Sequence, residues 1–261
     1  MSDRAVQDEV IRALADAPYR ASAAWQERGL ADAARVERFA RFLARHFYHE
    51  RIVHFFRYSG ALARVTGRRP EAVLRQPQFD ALLSTAVLGA RDTARAVADL
   101  VVTHVAAGGT GEGGAIPYHA DLLRYEETMM VVEAGPRVWR EKGKGEVGQA
   151  TGAPPEPVEG TALLDLDYDV PAVLAKLLQP WTTSLPPVAA RRPTKLLVAR
   201  SRHGRVTVAR ADEAVASIVR LTDGVRTLED LARAAGLRPA ELEATLSGLT
   251  EIGAVRFSTG S

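Results

Sequence analysis

Apolar residues in the first half of the chain recur at the three- and four-residue spacing of an amphipathic helix. The longest such pattern covers 32–60, with one apolar stripe and further residues that widen it: Val36, Phe39, Leu43 and Phe47, then Phe42, Ile52, Val53 and Phe56. So wide an apolar face is typical of a helix at the centre of a bundle. Shorter helical patterns cover 3–15, 77–88, 92–105 and 118–134. Together these patterns predict an all-helical N-terminal domain.

The C-terminal part of the chain mixes strand and helix patterns. Two β-branched apolar runs, 195–200 and 205–210, flank a tight turn that contains Gly204 and predict a β-hairpin. The other predicted elements are a strand at 163–168, a helix at 170–178, helices opening at Asp212, Thr227 and Pro239, and a terminal strand at 254–257. The hairpin, the three helices after it and the last strand predict a winged-helix variant.

Residues 142–160 separate these two regions and contain almost no large apolar side chain. Such a segment cannot contribute to a hydrophobic core, which favours a flexible linker. We therefore predict a helical partner-docking domain at 1–141 and a winged-helix-like, peptide-recognition-like domain at 161–261. The predicted fold class is mainly α with a small α+β domain.

The composition excludes several kinds of chemistry. The chain has no cysteine, which rules out disulfides, thiolate zinc sites and cysteine nucleophiles. The charged N-terminus lacks the apolar core of a secretory signal, and the most apolar stretch, 81–107, carries charges that are costly in a membrane. We therefore expect a cytoplasmic protein with no membrane partner. The net charge of +2 does not by itself indicate nucleic-acid binding.

The densest group of potential metal ligands lies on the long predicted helix. His46, His49 and Glu50 fall within one turn, where side chains three and four residues apart are neighbours. A di-iron bundle needs Glu-x-x-His on two helices and a zinc peptidase needs His-Glu-x-x-His, and the cluster matches neither pattern. A metal-dependent helical-bundle enzyme is the alternative. We expect instead that His46 and His49 contact a partner and that this chain holds no metal.

A second cluster of polar and aromatic side chains opens the helix predicted at 118. Tyr118, Asp121, Tyr125 and, one step round, Arg124 fall near one another at helical spacing. They suit an exposed patch that grips a partner, or an acidic first turn with an internal ion pair, and the two descriptions are compatible. We assign these four residues to partner binding.

Two functions compete for the C-terminal domain. A helix-turn-helix protein places its recognition helix in the DNA major groove, but the third predicted helix carries Glu241, Glu243 and Glu251 and no Lys or Arg. That helix would bring negative charge to phosphate, so a DNA-binding regulator is the alternative and nucleic acid is not the expected partner. A hairpin edge beside a helix groove also accepts an added peptide strand, which fits the charges better.

The chain resembles the accessory partners of multinuclear non-haem iron-dependent oxidative enzymes. The resemblance rests on Pro-Tyr-His-Ala-Asp-Leu-Leu-Arg-Tyr-Glu at 117–126, on Asp-Val-Pro at 169–171, and on the C-terminal hairpin and helices, and it spans most of the chain. Such partners act in the biosynthesis of ribosomally made, post-translationally modified peptides, as in the methanobactin oxidase pair. The resemblance implies a helical domain that docks on a barrel-shaped iron enzyme. It also implies a C-terminal domain similar to precursor-peptide recognition elements, which begin with three strands where we predict two plus a terminal one.

The resulting hypothesis is a noncatalytic adaptor that forms a heterodimer with an iron-dependent oxidase and presents a ribosomally made precursor peptide to it. Iron is expected in the partner enzyme, and no cofactor in this chain. The residues expected to bind the leader peptide are Arg205, Val206, Val208, Arg210, Glu241, Leu242, Thr245 and Leu249. The residues expected to contact the enzyme are His46, His49, Tyr118, Asp121, Arg124 and Tyr125.

Overall fold

A computed structural model describes residues 3–28, 32–108, 116–134, 153–180, 186–201 and 203–257. Over these residues the chain is mainly helical with a small region of antiparallel sheet, which confirms the coarse fold class. The chain divides into two compact units, residues 1–130 with 174–187 and residues 131–173 with 188–261. Each unit therefore takes a segment from the far side of the predicted linker.

The first unit is built from helices. Its elements are α1 (Asp3–Ala15), α2 (Ala17–Ala21), α3 (Ala23–Gln26), α4 (Ala33–Phe55), α5 (Arg57–Thr66), a 3-10 helix (Pro70–Arg75), α6 (Pro77–Leu83), α7 (Arg91–Ala106) and most of α8 (His119–Glu133). Side-chain caps begin several of them. The carboxylate of Asp32, for example, accepts the backbone N–H of Arg35 at 2.8 Å, which supplies an acceptor to the first turn of α4.

Helix α4 buries only part of the face that its apolar pattern predicted: Ile52 and Phe56 are buried as expected, but the centre of the buried face is shifted. The buried positions are Ala40, Ala44, Tyr48, Ile52 and Phe55. Phe39, Phe42 and Val53, which were predicted to face the core, are 50%, 63% and 48% exposed. Small side chains at a contact let neighbouring helices approach more closely, so the alanine side of α4 packs inward and leaves two phenylalanines outside.

The second unit contains all five described strands. They are β1 (Pro155–Pro157), β2 (Ala162–Leu166), β3 (Thr194–Arg200), β4 (Val206–Arg210) and β5 (Val255–Phe257), and helix α9 (Pro171–Leu177) follows β2. β2, β3 and β4 form an antiparallel sheet in that order, with the predicted hairpin as β3–β4. β2 is the strand predicted at 163–168, and with the hairpin it gives a three-stranded sheet before the C-terminal helices, where the winged-helix prediction had counted the hairpin alone.

The terminal strand and the predicted linker both need correction. β5 pairs with β1, which lies within the predicted linker 142–160, and the pair forms a separate two-stranded sheet. The earlier part of that linker lies outside the described residues. Val158 is buried and its N–H donates to the carbonyl of Ala254 at 2.9 Å. A segment poor in large apolar residues still forms structure here, because β5 supplies hydrogen-bond partners for its backbone.

Three helices complete the second unit: α10 (Glu213–Leu221), α11 (Leu228–Ala235) and α12 (Pro239–Glu251). Asp212 and Thr227 cap the first two, as predicted, by accepting the N–H groups of Val215 and Asp230. The helices share one buried core with the sheet: Leu197, Ala199, Ala211, Ile218, Leu231, Ala232, Leu242, Leu246, Leu249, Ala254 and Val255. One face of the β2–β3–β4 sheet is therefore covered by α10–α12.

Candidate functional site

The hairpin leaves one edge of the β2–β3–β4 sheet open along β4. The N–H of Ser201 donates to the carbonyl of Arg205 at 2.8 Å, and the N–H of Ala211 donates to the carbonyl of Lys195 at 3.0 Å. In an antiparallel ladder, bonded residues alternate with residues whose backbone groups point away. The N–H and C=O groups of Val206, Val208 and Arg210 therefore point outward, and no strand in the described part of the chain pairs with them.

The side chains of β4 divide between the two faces of the sheet. Thr207 and Ala209 lie opposite Ala199 and Leu197, so they share the face that α10–α12 cover. Val206 and Val208, which were expected to line the groove beside the third helix, have their side chains on the other face. They contribute to an open edge through their backbones. Thr207 and Ala209, both half-buried, are the strand residues that the sequence-based assignment missed.

The predicted peptide-binding residues of α12 are mostly committed to the fold. Leu242 and Leu249 are only 1% and 3% exposed and belong to the shared core, so they offer no surface to a peptide. The half-buried Thr245 donates its hydroxyl to the carbonyl of Glu241 at 2.9 Å. Glu241 is exposed but pairs with Arg238 and accepts its backbone N–H at 3.1 Å, which supplies an acceptor at the start of α12.

The two arginines that bound β4 differ in their surroundings. Arg205 is exposed, and among the described residues its guanidinium makes no ion pair. Arg210 is held by the buried Asp169, which also pairs with Arg192 and whose backbone N–H donates to Ala190 at 2.9 Å. Burial alone would raise the pKa of Asp169, but the bond and charge of Arg210 and the charge of Arg192 outweigh it and lower that pKa.

The expected partner-binding histidines are on the surface. His46 and His49 are exposed on α4, and the Nδ1 atom of His49 lies 3.5 Å from an Oε1 atom of Glu50. Within the described ranges no group of three or more His, Asp or Glu side chains is placed to hold a metal ion. Both histidines lie on the same exposed side of α4 as Phe39 and Phe42.

The second predicted patch, at the start of α8, is largely buried. Tyr118, Asp121 and Tyr125 are 2%, 6% and 8% exposed, so of the four assigned residues only Arg124 is at the surface. The Tyr118 hydroxyl donates to the carbonyl of Pro187 at 2.7 Å, and burial raises the pKa of both tyrosines to about 12. Arg124 lies 3.5 Å from Asp121, as the internal ion-pair alternative predicted.

Glu126, a buried carboxyl on α8, was not identified from the sequence as a residue of interest. Glu126 is completely buried, and its Oε1 accepts the backbone N–H groups of Tyr58 and Ser59 at 2.8 and 3.1 Å. The Ser59 hydroxyl donates a hydrogen bond to its Oε2. Phe56, the residue before α5, provides no side-chain cap, so Glu126 caps α5 from a different helix. Burial raises the pKa of this carboxyl to about 8, even though the donors from Ser59 and Tyr58 oppose the shift.

No protein-family model matches the chain, and no curated protein matches it significantly.

Of the helices that the structure describes, none combines the length and the apolar character needed to cross a membrane.

Proposed function

We propose that this chain is a noncatalytic adaptor that binds an extended leader peptide along β4 and presents it to an iron-dependent peptide-modifying oxidase. The observation that carries the proposal is the open edge of β4, in a unit whose three-stranded sheet precedes three helices. A three-stranded sheet followed by helices is the order that the resemblance to precursor-peptide recognition elements implies. A cytoplasmic site of action belongs to the same proposal.

The backbone of β4 supplies the chemistry for strand addition. Outward N–H and C=O groups at Val206, Val208 and Arg210 would bond an added strand, because these positions alternate along the ladder. The half-buried Thr207 and Ala209 would meet alternate side chains of the peptide on the helix-covered face. Affinity would then come from main-chain bonds, and selectivity from small apolar contacts and the charge of Arg205.

The charges of α12 favour peptide over DNA. In a winged-helix arrangement this third helix would enter the major groove, yet its charged residues are Glu241, Glu243 and Glu251, all of them exposed. These three carboxylates would repel DNA phosphates. They lie on α12 and not on β4, so they leave the β4 edge free for a peptide strand.

Replacing Val208 by Pro tests the edge. The change removes the outward N–H of Val208. Because that N–H points away from β3, the ladder between β3 and β4 loses no hydrogen bond, and proline is tolerated at such positions of an edge strand. The probe is a fluorescein-labelled leader segment of the small peptide encoded beside this gene, followed by anisotropy. One lost hydrogen bond of about 1 kcal/mol predicts a roughly fivefold weaker Kd. Val208→Thr, which keeps the N–H and β-branching, should bind like the wild type.

Circular dichroism of both variants must first match the wild type. Equal affinity of Val208→Pro and Val208→Thr would place the peptide elsewhere and contradict the edge assignment. A gene neighbourhood without a small peptide, or a wild-type chain that does not bind it, would remove the adaptor function itself.

A further inference from the structure

The outward side of α4 is an apolar and aromatic stripe on a helix whose opposite side already packs in the core. Its residues are Phe39, Phe42, His46, His49 and Val53, and we call this set the α4 stripe. They follow one another at intervals of three or four residues, which places them on one face of the helix. All five are exposed, while Ala40, Ala44 and Tyr48 on the opposite face are buried.

The two phenylalanines make this stripe unusual for a solvent-facing surface. Phe39 and Phe42 are 50% and 63% exposed, and their rings stack with centroids 6.4 Å apart. Burial of apolar surface is the main favourable term in association, so the exposed half of each ring is surface that a partner could bury. Aromatic side chains are also enriched where interfaces are tightest.

Charge at one end of the stripe indicates the chemistry of that partner. Arg35 and Arg38 are exposed near the start of α4, and within the described ranges neither guanidinium makes an ion pair. The Asp32 carboxylate caps this end of the helix and offsets its positive partial charge, which leaves the two guanidinium groups as the net positive charge there. At the other end Glu50 is 67% exposed beside His49. The stripe therefore presents two stacked phenylalanines beside a cationic end, followed along the helix by the two histidines and Val53.

Resting on the adaptor function above, we propose that the α4 stripe docks in an apolar groove of the partner enzyme whose rim is acidic beside Arg35 and Arg38. Phe39 and Val53 lie about 21 Å apart at the rise of an α-helix. A flat contact about 10 Å wide over that length covers roughly 200 Å², against the roughly 800 Å² per partner of a stable interface. A groove that wraps the helix gains more area, which favours a groove over a second copy of this flat stripe.

A photo-crosslink followed by binding measurements tests the proposal. p-Benzoylphenylalanine replaces Phe42 in the full chain, made in its own host cells, and mass spectrometry identifies the adduct. The same amino acid in place of Val225, an apolar residue of the second unit that is 78% exposed, is the matched control. We expect one protein adduct from position 42 that position 225 does not give.

The partner protein identified in the adduct is then purified in free form, and its binding to variants of this chain is measured by calorimetry. Phe42→Ser should weaken binding at least about tenfold, as interface aromatics commonly do. Arg38→Glu should weaken it as well and reduce its salt dependence, while Arg38→Lys should keep most of both. Since Phe42 and Arg38 are exposed, these variants should fold like the wild type.

The outcomes separate this proposal from the adaptor function. An iron oxidase whose binding ignores Phe42 and Arg38 would keep the adaptor function and overturn the docking surface. A different protein that responds to both variants would overturn the proposal, because the proposal assigns the α4 stripe to the iron oxidase. The proposal would be overturned if position 42 gave no adduct, or an adduct only between two copies of the chain. It would also be overturned if a separate vesicle assay showed Phe42-dependent binding to phosphatidylglycerol.

Discussion

The buried carboxyl of Glu126 should make the stability of the first unit depend on pH. In the unfolded chain this carboxyl titrates near its ordinary pKa of 4.5, whereas in the folded chain burial raises the pKa to about 8. Between these values the folded chain holds one more proton than the unfolded chain. The free energy of unfolding therefore falls as the pH rises through this interval and becomes level above it.

The size of the effect follows from the shift. Each pH unit in the interval corresponds to about 1.4 kcal/mol, so the full shift amounts to on the order of 5 kcal/mol. Glu126→Gln has no proton to lose and keeps an oxygen for the N–H groups of Tyr58 and Ser59. We expect this variant to match the wild type at acidic pH and to exceed it in stability at alkaline pH.

Glu126→Ala should behave differently, because it leaves two backbone N–H groups and the Ser59 hydroxyl without their acceptor. Each buried unsatisfied group costs about 1–3 kcal/mol, which predicts a loss of at least about 3 kcal/mol relative to the wild type at acidic pH. Because alanine also removes the titrating carboxyl, this difference should shrink as the pH rises toward about 8 and the wild type itself loses stability. The assay is urea unfolding followed by circular dichroism at pH values below, between and above 4.5 and about 8. Glu50→Gln, at an exposed site, controls for the removal of one negative charge.

A Glu126→Gln variant that retains the full pH slope of the wild type would show that another group titrates and contradict this prediction. Equal losses of stability in the glutamine and alanine variants at acidic pH would contradict it as well. In that case the N–H groups at the start of α5 would not depend on this acceptor.

Two further predictions concern the second unit. Gly253→Ala should lower the free energy of unfolding of this unit by more than about 2 kcal/mol, measured by urea unfolding. The reason is that φ is +84° and an added Cβ would lie 2.3 Å from the Arg200 carbonyl oxygen. Gly236→Ala, at φ +66° with nothing near its Cβ, should lower the free energy of unfolding less. Asp169→Asn should destabilise the unit above the ordinary carboxyl pKa. The two proteins should converge in acid circular-dichroism titrations as the pH falls through the lowered pKa of Asp169.

Much of the local structure could be predicted from the sequence. The helices begun by Asp32, Asp212 and Thr227 have the predicted caps, and the turn at Gly204 has the positive φ of 77° that favours glycine. These features depend on hydrogen bonds and backbone sterics within about four residues, so short stretches of sequence contain the information that determines them.

Only the tertiary structure decided which side chains remain available to partners. Tyr118 and Tyr125 looked like surface residues by spacing and are buried, while Phe39 and Phe42 looked like core residues and are exposed. Helical spacing places residues on a common face. Which face turns inward depends on the packing of all the neighbouring helices, and that packing buried the alanine side of α4.

The same reason explains the elements that local pattern missed. β1 pairs with β5 across about a hundred residues, Pro155 opposite Phe257, and Glu126 caps a helix 67 residues away in sequence at Ser59. Neither interaction leaves a local pattern, because a buried acceptor or a three-residue strand gains its partner only when distant segments meet. The sequence by itself determined most of the longer helices, the hairpin and several caps, while the tertiary structure determined the break between α4 and α5, the open β4 edge, the α4 stripe and the buried carboxyl.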